Sequence, residues 1–271
     1  MIPVISIDMI YPGYDSVVKI KAIHAVGFRH IEFAGWREKD VPGILSICRE
    51  LNVRVVNFSG HRRGSIVRAE EHEQFFEDVR ETAELAELFA PHSMMFLTNA
   101  LSMTGEVLDP CASIPEEKKF RNTVAALTQA VAMLPEEVML VLEPLNTRVD
   151  HPGYYLSDPE TAARIIAEVG DRRCSLLCDL YHFGVMGYDP EDIIRNYAQA
   201  IGHVHIADFP GRHELDESSD RWISYLKSLK AGGYDGYIGF EYVPKDDSRE
   251  SLERIMRFWK RFEAVVLEEK E

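Results

Sequence analysis

Residues 138–144 read VMLVLEP, 174–182 read CSLLCDLYH, 201–208 read IGHVHIAD and 236–242 read GYIGFEY. Each is a short apolar run that ends on an ionisable side chain, namely Glu143, Asp179, His205 and Glu241. A run of this length bounded by turn signals reads as a strand buried on both faces, the kind that parallel sheets contain. A carboxylate or imidazole closing such a strand is costly to bury without a partner, a ligand or an exposed sheet edge. One shared divalent ion would satisfy all four. Singly, each has a plainer reading: a helix N-cap or loop ion pair for the acids, a hydrogen-bonded core position for the histidine. Their recurrence at equivalent places in four successive units favours the shared ion.

Working outward, PVISIDM (3–9), RHIEFAG (29–35), VRVVNFSG (53–60) and SMMFLTN (93–99) supply four more strand candidates. Breakers separate the units: Gly27, Pro91, Pro135, Gly170 and the pair Gly232 and Gly233. Between them lie stretches of helical period. The clearest surrounds residues 68–90, where charged residues flank a stripe of Phe75, Phe76, Val79, Leu85 and Leu88. Eight strand-helix units with no glycine-rich phosphate loop after the first strand predict a closed (β/α)8 TIM barrel rather than an open doubly wound sheet. The chain reads as one α/β domain over residues 1–271. In such barrels the active site is built at the C-terminal strand ends, so strands five to eight bring the four residues to one mouth. Pro144 supports the placement of Glu143, because the residue before proline is driven to extended geometry and the ladder must stop there.

Composition narrows the function. The chain has 271 residues, 46% of them hydrophobic, and a formal net charge of −15. That charge disfavours nucleic acid and anionic membranes as partners, because phosphate binding draws on clustered Lys and Arg. A small-molecule substrate is expected. The cysteines Cys48, Cys111, Cys174 and Cys178 show neither a disulfide framework nor a CxxC zinc spacing, and read as reduced, buried thiols. MIPVISIDMIY has no basic segment leading into a long apolar one, and no later run reaches membrane-spanning length, so a soluble, cytoplasmic protein is expected.

Three carboxylates and one imidazole without a thiolate suit Mg2+ or Mn2+, with Co2+ or Zn2+ as lesser alternatives, and suggest an ion used for chemistry. After strand three, His61, Arg62 and Arg63 should lie on the catalytic face, where they recognise a substrate carboxylate or phosphate or form a solvated basic loop. Phe33 and Trp36 wall the pocket or belong to core and rim. Glu32 orients substrate or pairs with a neighbouring loop.

The segments LEPLNTR with PGYYL, CDLYH, IGHVHIADFPGRHE and GYDGYIGFEY resemble the hydroxypyruvate isomerase family, within the xylose-isomerase-like superfamily of sugar isomerases and ketose 3-epimerases. The likeness covers about the last half of the chain, while the first half matches only in pattern, as in GFRHIEF. The resemblance implies that Glu143 and Glu241 are paired acid/base residues and that Glu143, Asp179, His205 and Glu241 form a metal shell. It further implies that His182 and Arg212 contact substrate and that the protein forms homo-oligomers. For His182 a helix-capping reading competes, and for Arg212 a solvated loop. Two features depart from the family. Many of its members carry glutamine where this chain has His205, and Pro-Gly-x-Gly-Glu where this chain continues Leu215-Asp216-Glu217-Ser218-Ser219.

The expected activity is metal-dependent isomerisation or epimerisation of a small ketose or keto acid, by enediolate proton transfer between the two glutamates. A keto-polyol dehydratase is the nearest competitor, since loss of a hydroxyl follows the same first step. An endonuclease IV-like repair enzyme would need a histidine-rich multi-metal cluster and a basic surface. A non-catalytic sugar-binding barrel would have no use for a proton-transfer pair.

Overall fold

Strand candidates in the sequence become eight parallel strands in the computed structural model, which describes residues 1–268. These are β1 (Ile2–Ser6), β2 (His30–Phe33), β3 (Arg54–Ser59), β4 (Ser93–Phe96), β5 (Met139–Leu142), β6 (Cys174–Asp179), β7 (Ile201–Ile206) and β8 (Tyr237–Phe240). They pair in chain order and close when β8 returns to β1, with Ile2 opposite Tyr237 and Ile5 opposite Phe240. Outside run α1 (Ser16–Val26), α2 (Val41–Leu51), α3 (His72–Phe89), α4 (Glu116–Met133) and α5 (Pro159–Val169). The ring is completed by α6 (Leu180–Met186), α7 (Pro190–Tyr197), α8 (Asp220–Ala231) and α9 (Ser248–Glu268).

Local chemistry starts and stops these helices. Asp15, Asp40, Asp158 and Asp189 each accept a backbone N–H of the first turn, and proline occupies the opening turn of α2, α5 and α7. At the other end, Gly27 and Gly170 sit at φ 119° and 67°, a left-handed conformation that stops the helix at little cost only for glycine.

The core has two parts. Between sheet and helices lies a continuous apolar layer that includes Phe28, Phe58, Phe75, Trp222, Phe240 and Phe258. A separate small cluster of Met95, Val141 and Leu177 lies apart from it. Hydrogen bonds also join strands that are not neighbours, such as Glu32 on β2 with His203 on β7, and these must cross the barrel interior. Polar groups thus replace hydrocarbon along part of the axis.

The helix expected around residues 68–90 is α3, preceded by a 3-10 turn at Ala69–Glu71. Phe75 and Val79 are buried, and Phe76 and Leu85 are half-buried. Leu88 is instead 56% exposed. The buried stripe runs through Phe75, Asp78, Val79, Thr82 and Ala86, and a residue two positions past Ala86 lies about 200° further round the helix. Among the described residues no helix is long and apolar enough to cross a membrane. All four cysteines are free and buried.

Candidate active site

Glu143 and Glu241 directly follow β5 and β8, Asp179 is the last residue of β6, and His205 is the penultimate residue of β7. One ligand-capable atom from each lies within 4.8 Å of the other three. Above them opens a cavity of about 550 Å3, lined in part by Glu143, His182, Arg212 and Glu241.

Each side chain is held by its own neighbourhood. The Glu143 N–H donates to the Phe96 carbonyl at 3.1 Å, and its carbonyl accepts from the Tyr154 hydroxyl at 3.2 Å. Asp179 caps α6, its Oδ1 accepting from Tyr181 N at 2.8 Å and His182 N at 3.3 Å. Its Oδ2 is left 3.5 Å from His182 Nε2. The capping reading therefore holds for this carboxylate, and capping leaves Oδ2 free of the helix backbone, on a residue of the four-residue cluster. Glu241 Oε2 accepts from the Arg212 guanidinium. His205 turns Nδ1 toward Glu143 Oε1 and Glu241 Oε2, at 3.6 and 3.5 Å.

Burial pushes the Glu143 carboxyl up, reinforced by Glu241 and Asp179 and opposed by His205. Asp179 is raised as well, again chiefly by burial, although Arg212 and His205 pull the other way. Glu241 departs from them. Burial would raise it, but the Arg212 guanidinium and His205 hold it well below the usual carboxylate range. For His205, burial favours the neutral ring, yet Glu32, Glu143 and Glu241 together hold its pKa well above the ordinary value. Three carboxylates in one buried pocket repel one another and lack solvation, and a divalent cation would relieve both effects. Glu143 Oε1 and His205 Nδ1 are buried with no hydrogen-bond partner among the described residues. Oxygen-rich donors with one imidazole and two such unpartnered atoms fit a divalent ion.

Other residues singled out in the sequence are placed less uniformly. His182 lines the cavity, and its Nδ1 accepts from the Asn146 backbone N–H at 3.2 Å. Burial and the nearby Arg212 keep the His182 ring neutral. Arg212 lines the cavity too, with its guanidinium 5.1 Å from the centre of the Tyr181 ring. His61 does not reach the cavity lining. It is buried against Phe75 and Phe96, with Nε2 3.0 Å from the Leu97 carbonyl. Burial pushes its pKa down to about 4, so the ring is an uncharged packing element. Trp36 is on the lining, whereas Phe33 is core, stacked on Phe58.

Of the basic residues after β3, Arg63 is drawn to Asp78 at 2.8 Å, while Arg62 faces the cavity. Arg37, Lys39 and Arg212 also line it, but each is paired with a carboxylate: Asp78, Asp8 and Glu241 respectively. Arg62 has no carboxylate partner among the described residues, and its Nη2 reaches only the Ser102 carbonyl at 3.4 Å.

Asp8, Lys39, Asp150, His151 and His203 went unrecognised in the sequence. His151 and Asp150 flank the cavity in a turn organised by Asn146, whose Oδ1 accepts from Val149 N and Asp150 N at 3.1 and 3.0 Å. Only His203 carried a usable signal. It lies two positions before His205, and alternate residues of a strand project to the same face.

The family model described as xylose isomerase-like TIM barrel matches residues 20–262. A human protein provisionally named hydroxypyruvate isomerase is 35% identical over 137 residues, which is 50% of this chain and 50% of that protein. The chain thus spans about half the length of the curated relatives it matches first. Escherichia coli (strain K12) hydroxypyruvate isomerase is 23% identical over 255 residues, covering 91% of this chain and 95% of its own. Among solved structures, an AP endonuclease, family 2, from Brucella melitensis superposes with a TM-score of 0.82 at 22% identity, over 93% of this chain and 96% of that one, a likeness of fold.

Proposed function

The chain belongs to the xylose isomerase-like TIM barrel family, and within it we propose a divalent-metal-dependent isomerase or epimerase of a short keto acid or ketose. The observation that carries this reading is the convergence of Glu143, Asp179, His205 and Glu241 beneath a cavity of about 550 Å3. The name of the Escherichia coli relative supports isomerisation.

When bound by these four residues, a divalent ion supplies Lewis-acid polarisation of a carbonyl and charge stabilisation of an enediolate. The chain's own groups do the rest. Glu143 and Glu241 follow strands three apart in the ring, so they face a molecule between them from different sides. One removes the weakly acidic proton beside the carbonyl, and the other returns a proton to the neighbouring carbon or the opposite face. Arg212 holds the Glu241 carboxylate in place, and neutral His182 presents Nε2 beside Asp179 as a hydrogen-bonding group for a substrate oxygen.

Arg62 favours keto acids over neutral ketoses, because an arginine on the cavity wall without a carboxylate partner is suited to a substrate carboxylate. Arg62→Ala should raise KM for a keto acid roughly 10- to 100-fold, from about 1.5–3 kcal/mol for a charged hydrogen bond. A neutral ketose should lose much less, and steady-state kinetics on both substrates checks the difference.

The proposal is tested by stripping the protein with a chelator and incubating it in D2O with short keto acids and ketoses. Deuterium should enter at the carbon beside the carbonyl only after Mg2+, Mn2+ or Co2+ is restored, with product mass otherwise unchanged. A product lighter by one water identifies a dehydratase. No exchange into any of these compounds, with the ion bound, ends the proposal.

A further inference from the structure

Glu32 lies on β2, on the far side of His205 from the strand-end carboxylates, and is 2% exposed. Its Oε2 accepts from His203 Nε2 at 2.8 Å; its Oε1 lies 3.2 Å from His205 Nε2, near it but without a completed hydrogen bond, and both of these atoms are buried and otherwise unpartnered among the described residues. Asn57 Nδ2 approaches Oε2 at 3.5 Å and is itself tied to Ser93, so β2, β3, β4 and β7 all contribute to one polar layer. Strand β8 contributes only backbone there. A Cβ on Gly239 would collide with Glu32 Oε1 and the His205 ring.

The two nitrogens of His205 therefore face opposite partners: Nδ1 toward Glu143 and Glu241, Nε2 toward Glu32. A neutral imidazole carries one N–H and one bare lone pair, and the hydrogen bond made by one nitrogen decides which is which. A carboxylate can accept the Nε2 proton and cannot donate one in return. We propose that Glu32 is a positioning residue of the metal centre. By taking the Nε2–H of His205 it fixes the tautomer whose Nδ1 lone pair points into the cluster, and His203 braces its other oxygen. The inference rests on the metal-centre reading above and adds to it a residue outside the four-residue donor set. Glu32, His203 and His205 also bring ligand-capable atoms within 4.8 Å of one another, and in the proposed arrangement Glu32 and His203 support His205 instead of holding an ion themselves. Carboxylates placed behind a ligating histidine fix its orientation and raise its basicity, and their loss typically costs about 10- to 100-fold in metal affinity.

Metal binding by the full-length protein tests this without reference to turnover. Histidine 15N spectra of the Zn2+-loaded wild type should show His205 protonated on Nε2 and coordinated through Nδ1. Mn2+ titration followed by electron paramagnetic resonance should show Glu32→Gln binding about 10- to 100-fold more weakly. His203→Gln, which leaves Glu32 in place, should show a smaller loss in the same direction. Coordination through Nε2, or wild-type Mn2+ affinity in folded Glu32→Gln, overturns the inference and leaves the functional proposal standing. A buried pair with a structural role alone would lower the melting temperature and leave the affinity of the folded fraction unchanged. If Glu32→Gln does not fold, the wild-type nitrogen assignment and the His203→Gln titration decide. A wild-type chain that takes up no ion overturns the metal-centre reading and this inference together.

Discussion

Glu241→Gln is expected to fold, to bind substrate, and to lose about 10²- to 10⁴-fold in kcat, the usual worth of a positioned general acid or base. Glutamine keeps the side-chain length and an oxygen, so packing around β8 survives, but an amide can neither take nor return the substrate proton. Because Glu241 also belongs to the proposed ion's donor set, the comparison requires saturating Mn2+. A kcat deficit that disappears as Mn2+ is raised would mean that the residue holds the ion and nothing more. Glu143→Gln should behave alike, and the double variant should lose far less than the product of the single losses, since both act on one proton transfer. Wild-type turnover by Glu241→Gln would remove it from the mechanism. Deuterium exchange measured beside net isomerisation separates the roles: a variant that still exchanges but no longer isomerises has kept its base and lost its acid.

What the sequence displayed of this site follows from where each residue sits. Glu143, Asp179, His205 and Glu241 were visible because each interrupts an apolar run at its end, where a buried charge has an obvious cost. Glu32 sits inside the short strand HIEF, one residue before its end and with only Ile31 apolar ahead of it, and its partners are on β7, some 170 residues away in the chain, so no local pattern indicates which strand lies across a barrel. His61 shows the converse. The HRR after β3 read as a substrate-recognising group on the catalytic face or as a solvated basic loop, yet Phe75 and Phe96 enclose the His61 ring, and its ring nitrogen meets the Leu97 backbone instead of the cavity. The alternation that revealed the barrel is a property of strands. The cavity wall is made by loops such as 99–111 and 145–156, whose shape depends on long-range contacts like Asn99 Oδ1 with Tyr155 N at 2.9 Å. Leu88 was misplaced for a smaller reason: the stripe of α3 turns on Asp78, a charged residue that no hydrophobic pattern would count as buried.

Asp78 should be the most sensitive position in the chain for stability outside the apolar core. Its side chain is fully buried and receives four donors: Arg37 Nη2 at 2.5 Å and Arg63 Nε at 2.8 Å on Oδ1, and the backbone N–H groups of Arg62 and Arg63 at 2.6 and 2.9 Å on Oδ2. Burial alone would raise its pKa, but these donors outweigh burial and hold the carboxyl below the ordinary value. Asp78→Asn keeps the volume and turns an NH2 group toward donors that need an acceptor. Breaking a buried ion pair costs about 3–5 kcal/mol, and the low end, about 3 kcal/mol, is expected here because both arginines keep contact with solvent. Urea denaturation at pH 7 measures it. The sign of the pH dependence follows from the lowered pKa. Stability from Asp78 is complete above the unfolded carboxyl pKa of about 3.9 and is lost as pH falls through the lower folded value. The gap between wild type and Asp78→Asn should therefore hold from pH 7 to about 5 and close in the acid range below about 4. A gap that stayed constant down to pH 2 would assign the loss to packing instead of charge. Function should register the same change, since Asp78 fixes the loop after β3 that carries Arg62 and, through Arg37, the loop after β2. Both loops border the cavity, whereas the strand ends proposed to hold the ion lie across the barrel, so KM should rise while Mn2+ affinity stays at the wild-type value.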